Sequence, residues 1–397
     1  MSATPDNRSR PFHLGRHPER SPLQSHCKGR SRRTCQTLPV CTILAAFCLG
    51  IAVMAPLAAH SQKPTQGVAV TTNQSAHRVD ITIDGKPFTS YLWQTNQRKP
   101  VLYPLIAPDG TTVTRGYPFE TRPNERVDHP HHAGLWFNYG NANNFDFWNN
   151  SDAIKPADQP KYGAITQDRI VSTKSGPNSG ELIAESTWIT GSQPTVPGDK
   201  IITQTTRYVF SRLTIGGKPT NAIDMIVTLK ALAPVVFHDD KEGLLGIRVA
   251  HFLESPTEKG GVFMDANGVP TTVKAADTAG ATGVYHTSEG ITGDAVWSTR
   301  GRWCTLTGNQ DNKTETIAIL DHTGNPGYPA YWHARGYGLF AVNPLGAHIF
   351  DPKTPAMNFT LAQGASTTFK YRVLLLSSPA TDAEMNHAAD AFDTEYK

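Results

Sequence analysis

Arg207-Tyr208-Val209-Phe210-Ser211-Arg212-Leu213-Thr214-Ile215, then Gly216-Gly217, then Ile223-Asp224-Met225-Ile226-Val227-Thr228-Leu229, is the stretch that decides the fold class. β-Branched and aromatic residues dominate both runs, and a glycine pair stands between them. This reads as a strand, a turn and a returning strand, with a connection longer than a minimal hairpin. The arrangement has an earlier counterpart. His77-Arg78-Val79-Asp80-Ile81-Thr82-Ile83 alternates polar and apolar residues, Asp84-Gly85 supplies the turn, and Phe88-Thr89-Ser90-Tyr91-Leu92-Trp93 returns. Further strands are expected over 101–106, 165–172, 180–189, 201–206, 244–252, 295–297, 303–306, 316–320, 338–342 and 367–376. No helix-length pattern separates them, which argues against parallel βαβ layering.

One helix is expected, at the end. Thr381-Asp382-Ala383-Glu384 has capping-box spacing, and Met385, Ala388, Ala389 and Phe392 recur at helical intervals. The sequence therefore predicts an all-β protein. Its core is one large antiparallel double-sheet β-sandwich of the supersandwich kind. The sandwich spans 77–397 as a single domain, closed by the C-terminal helix and preceded by a flexible lead-in over 62–76.

Composition agrees. At 397 residues with 38% hydrophobic and 18% charged residues, the chain can bury a sizeable core, and wholesale disorder is excluded. The net charge of +3 hides an asymmetry: residues 1–61 hold eight Lys/Arg and two acids, so the remainder is net acidic. A basic face for nucleic acid is not expected. In the same leader an uncharged apolar run over 39–56 follows the basic stretch and ends in Ala58-Ala59-His60-Ser61. Basic region, apolar core and small-residue exit are the parts of a signal peptide. A single membrane anchor is the alternative, at the lower limit of length. On the signal reading the working protein is periplasmic or secreted, with no stable membrane span. Four of the five cysteines lie in the leader, leaving Cys304 as a buried structural thiol without a disulfide partner.

Three segments have the residue types for chemistry. The first is Asp128-His129-Pro130-His131-His132-Ala133-Gly134-Leu135-Trp136. In an extended chain His129 and His131 share a face and His132 opposes them. Two such imidazoles can bind one metal, and His131 is the better placed to reach a ligand. The second, Lys241-Glu242-Gly243 through Ile247-Arg248-Val249, offers Glu242 as acid or base and Arg248 as a carboxylate holder. The third is Tyr331-Trp332-His333-Ala334-Arg335-Gly336-Tyr337, with His333, Arg335 and Tyr337 on one face of an extended chain. No phosphate-binding loop, dinucleotide fingerprint, nucleophile elbow or His-Glu-x-x-His motif is present.

The order and spacing of these three segments, with Gly338-Leu339-Phe340 and Asn343-Pro344, resemble an uncharacterised bacterial family of secreted proteins labelled methane oxygenase PmoA. The resemblance covers roughly 78–390. The methane monooxygenase subunit of that name is an integral membrane protein, whereas this chain has no spanning segment after its leader. What the resemblance implies instead is a large β-sandwich from carbohydrate-degrading bacteria. The family pattern often has Arg after the paired histidines and His near the next Gly, where this chain has Ala133 and Tyr139.

The expected function is therefore an exported carbohydrate-active enzyme, a lyase, hydrolase or isomerase acting on a glycan fragment or uronic-acid sugar. His131, His333, Glu242 and Tyr337 are the expected proton carriers. His132, Arg248, Arg335, Trp136, Trp332 and Asn343 are the expected substrate contacts. One alternative is a metal-dependent enzyme holding a divalent ion on His129, His131, Glu242 and His333. Another is a non-catalytic glycan-binding or cell-surface module.

Overall fold

The computed structural model describes residues 66–94, 96–191, 198–256, 260–273 and 280–397. The signal-peptide segment lies outside the described residues. Two eight-stranded antiparallel sheets dominate the described residues, beside two small two-stranded ones, Val235–Phe237 with Phe359–Leu361 and Gly261–Met264 with Pro270–Val273. The front sheet runs, edge to edge, Val68–Asn73, Arg78–Ile83, Lys86–Leu92, Val101–Leu102, Leu135–Tyr139, Gly243–Arg248, Leu339–Asn343 and Tyr331–Arg335. The back sheet runs Val284–Thr287, Trp303–Gln310, Lys313–Asp321, Ser366–Leu376, Lys218–Ala231, Lys200–Ile215, Ser179–Ile189 and Ala164–Lys174. The all-β double-sheet expectation holds.

Three local expectations are corrected. Residues 68–73, placed in the lead-in, form an edge strand paired with Arg78–Ile83. The Gly216-Gly217 connection is tight: both glycines have positive φ, and pairing resumes at Ile215↔Lys218. Residues 293–296 form a 3-10 turn where a strand was expected.

The period-two pattern explains the layers. In the back sheet Ile317, Ile319, Val373 and Leu375 point into the core between the sheets. Their neighbours Ala318, Leu320, Leu374 and Leu376 point the other way, onto Met385, Ala388, Ala389 and Phe392 of the helix Asp382–Glu395. Those strands read as continuous apolar runs because both faces are covered. The helix begins with the expected capping box between Thr381 and Glu384. In the front sheet Phe340 and Val342 face the core, whereas Leu339 and Ala341 face outward under Trp136 and Trp148. That covered outer face carries the histidine loop. Among the described residues no helix is long and apolar enough to cross a membrane.

Candidate functional site

The histidine segment does not run extended. His132 N–H donates to the His129 carbonyl at 2.9 Å, and His129 has φ 44°. The turn reverses the expected facing. His129 and His132 stack with centroids 4.9 Å apart and planes 4° apart, and His131 stands perpendicular to both. Gly134 lets the loop rejoin the sheet: its φ is +62°, and a Cβ there would lie 2.2 Å from the Leu102 carbonyl oxygen.

A buried guanidinium holds this turn. Arg115 donates to the carbonyls of Arg126, Asp128, His129 and His132 at 2.9–3.1 Å and to Asp128 Oδ1 at 2.8 Å. Arg248, also buried, donates to the same Oδ1 at 2.6 Å. It lies 3.3 Å from His132 Nδ1, and its Cζ sits 4.9 Å from the Tyr337 ring centroid. The other carboxylate oxygen, Oδ2, lies 3.2 Å from His129 Nδ1. Burial alone would raise the Asp128 carboxyl, but the His129 contact and the two arginines outweigh it and hold it well below the usual range.

An ionised Asp128 therefore fixes the His129 tautomer with its proton on Nδ1. Its Nε2 makes no hydrogen bond within the described residues, and the side chain is 41% exposed. The Tyr337 ring lies parallel to His129, centroids 5.2 Å apart and planes 5° apart. Burial pushes the Tyr337 hydroxyl up to about 12, against the lowering effect of Arg248 and Arg335, so it keeps its proton.

The third segment arrives alongside. Glu242 and Tyr337 are close enough that the carboxylate helps raise the phenol. Glu242 Oε1 accepts from Lys241 Nζ at 2.5 Å, and Oε2 lies 3.6 Å from His333 Nδ1. These two atoms are shut off from water without hydrogen-bond partners. Burial, with Arg335 and Lys241 nearby, pushes His333 down to about 3, and burial raises Glu242 against Lys241. Arg335 is half-buried, its guanidinium 3.7 Å from the Trp297 ring centroid.

The three segments therefore meet on the outer face of one sheet. Several expected contacts are nevertheless out of a ligand's reach. Trp332 points into the core between the sheets, because on the strand Tyr331–Arg335 it alternates with His333. Asn343 is buried, its amide donating to the carbonyls of Asp240 and Lys241 at 2.8 and 3.1 Å, so it shapes the turn before Glu242. Trp136 is buried beneath His132. His132 accepts from Trp148 Nε1 at 3.1 Å and faces Arg248 with its other nitrogen. Arg248 itself is spent on Asp128, not free for a substrate carboxylate. His131 Nε2 is sealed without a partner, and burial, with the Lys99 charge beside it, pushes its ring down to about 2. Among the described residues no three His, Cys, Asp or Glu side chains are grouped to hold a metal ion, the set His129, His131, Glu242 and His333 included.

Sequence reading missed Arg115, the pairing of Asp128 with His129, Lys241, and Trp297 under Arg335. A small-residue row makes the floor. Across the sheet Trp136, Gly246, Ala341 and His333 are in register, and Trp148 lies over Gly246. A Cβ on Gly246 would sit 2.6 Å from Trp136 and 3.0 Å from Trp148. Gly246→Ala is expected to cost about 1–3 kcal/mol by overpacking, readable as a lowered urea midpoint.

Residues 78–390 match DUF6807, a family of unknown function. The chain belongs to that family. No curated protein matches it. Among solved structures this DUF6807 member is similar to a putative aldose 1-epimerase from Escherichia coli K12, at 12% identity over 78% of this chain and 99% of that one, TM-score 0.32. Galactose 1-epimerase from Lactobacillus acidophilus NCFM is similar at 10% identity over 79% and 100%, TM-score 0.32. A glycoside hydrolase family 97 enzyme from Pseudoalteromonas sp. strain K8 is similar at 11% identity over 79% of this chain but 34% of that one, TM-score 0.28. Likeness at this level says nothing of activity.

Proposed function

We propose that this DUF6807 protein is an exported carbohydrate-active enzyme that works by proton transfer, with His129 as base and Tyr337 as acid. One observation carries the reading: Asp128, locked by Arg115 and Arg248 on one oxygen, holds His129 by Nδ1, and the imidazole stacks on the Tyr337 ring with its Nε2 uncommitted. A carboxylate that fixes an imidazole in one tautomer is a recurring way to present a base. The half-buried phenol supplies the complementary proton. Arg335 and Lys241, at the open side of the site, are the cations suited to a sugar carboxylate or a developing oxyanion. Tyr337 and Trp297, both half-buried, are the aromatic rings of the site. Lysis or isomerisation fits better than hydrolysis by paired carboxylates, because Asp128 and Glu242 are each committed to cations. The basic-then-apolar leader supports export.

The test is a panel of neutral and uronate-bearing oligosaccharides incubated with purified protein in heavy water and followed by proton NMR. Conversion or solvent-deuterium incorporation in at least one sugar is expected. A panel that stays unchanged throughout contradicts the proposal.

A further inference from the structure

Away from the histidine loop, a cavity of about 350 Å³ opens at the side of the sandwich. One wall is the segment following strand Lys86–Leu92, with Trp93, Gln94, Gln97, Arg98 and Lys99. The other is the start of the back-sheet edge strand Ala164–Lys174. The walls are tied together where Ile165 N–H donates to the Arg98 carbonyl at 2.8 Å, so the cavity is preformed. Its volume falls in the ~300–1,000 Å³ range of small-molecule sites, near the lower end.

The lining combines a ring platform with unspent amides. Trp93 is half-buried and in tilted contact with Tyr91, ring centroids 5.7 Å apart, and with His77, which also lines the cavity, at 6.1 Å. The side-chain amides of Gln94 and Gln97 make no hydrogen bond within the described residues, and both are half-buried. Each amide offers two donors and an acceptor. The charges at the rim are already answered. Arg98 Nη2 pairs with Asp152 at 2.9 Å. Lys99 points its Nζ away, to the His131 carbonyl at 2.6 Å, and its burial pushes it down to about 7.

We propose that this cavity is a second saccharide-binding site, which takes a neutral sugar unit stacked on Trp93 and hydrogen-bonded by Gln94 and Gln97. A ring face with C–H groups meets the indole, equatorial hydroxyls meet the amides, and no free charge asks for an acidic sugar. Lys99 forms both the cavity wall and the brace of the His131 carbonyl. The two sites therefore share one side chain. The inference does not rest on the catalytic reading, since binding is measured without turnover.

The experiment is calorimetric and saturation-transfer NMR titration of the full domain with neutral xylo-, cello-, malto- and galacto-oligosaccharides, with oligogalacturonates as the charged control. Binding of at least one neutral series is expected, weakened about tenfold or more in Gln97→Ala and in Trp93→Ala. Trp93→Phe covers the case in which Trp93→Ala fails to fold, and it should keep part of the affinity. Two outcomes overturn the proposal: no neutral series binds, or the Gln97 and Trp93 variants bind as the parent does. A preference for the oligogalacturonates that depends on Trp93 overturns the neutral assignment. Loss of binding in His129→Asn with binding kept in the Trp93 variants places the sugar at the histidine site instead and also overturns it.

Discussion

Asp128→Asn is expected to destabilise the protein by about 3 kcal/mol, the lower end for breaking a buried ion pair. The reason is what stays behind. Arg115 and Arg248 are both fully buried, and among the described residues Asp128 Oδ1 is the only carboxylate oxygen paired with either. With an amide there, two guanidiniums face each other without compensation, and the loop carbonyls gathered by Arg115 lose part of their anchor. Asp128 also has a pH signature. Its folded carboxyl lies below the unfolded value of about 3.9, because the contacts to His129, Arg248 and Arg115 outweigh desolvation. Its contribution is fully present above that unfolded value and drains away as the pH falls below it. Urea titrations at pH 7 and pH 3 should therefore show a large gap between parent and variant at pH 7 and a smaller one at pH 3. An equal gap at both would contradict the assignment.

The second large effect is kinetic. His129→Asn should lower kcat/KM on the converted sugar by about 10²–10⁴-fold, the usual weight of a positioned general base. Stability should barely change, because His129 is the most exposed of the cluster and Asn accepts its φ of 44° readily. Asp128 then keeps both arginine bonds. A variant that unfolds would show that the imidazole stack on Tyr337 and His132 is structural. A folded variant with parental activity would remove His129 from the chemistry.

Much of the architecture was legible. Strand alternation, turn glycines and the capping box at Thr381 fix the class and the closing helix, because each is a local signal. The 68–73 strand escaped because its apolar part is only Val68-Ala69-Val70, which gains its order by pairing with Arg78–Ile83 and by burying both valines in the core. The three chemical segments were legible as segments, yet the roles within them were not. Period-two reasoning placed His129 with His131, but a turn at φ 44° replaced the extended chain and stacked His129 on His132. Trp332 and Asn343 have the residue types of sugar contacts, and only the register shows one in the core and the other tied to a turn. Arg115 carries no motif at all. Its part comes from four carbonyls 11 to 17 residues further on, in the same connection between Val101–Leu102 and Leu135–Tyr139.

The direct comparison is among the three histidines: kcat/KM of His129→Asn, His131→Gln and His333→Gln, measured side by side on the same sugar with each variant's fold verified by circular dichroism. The account predicts that His129→Asn falls by about a hundredfold or more and that His131→Gln stays within about tenfold of the parent, the size of a packing effect. A large loss in His131→Gln with His129→Asn near parental activity would contradict it.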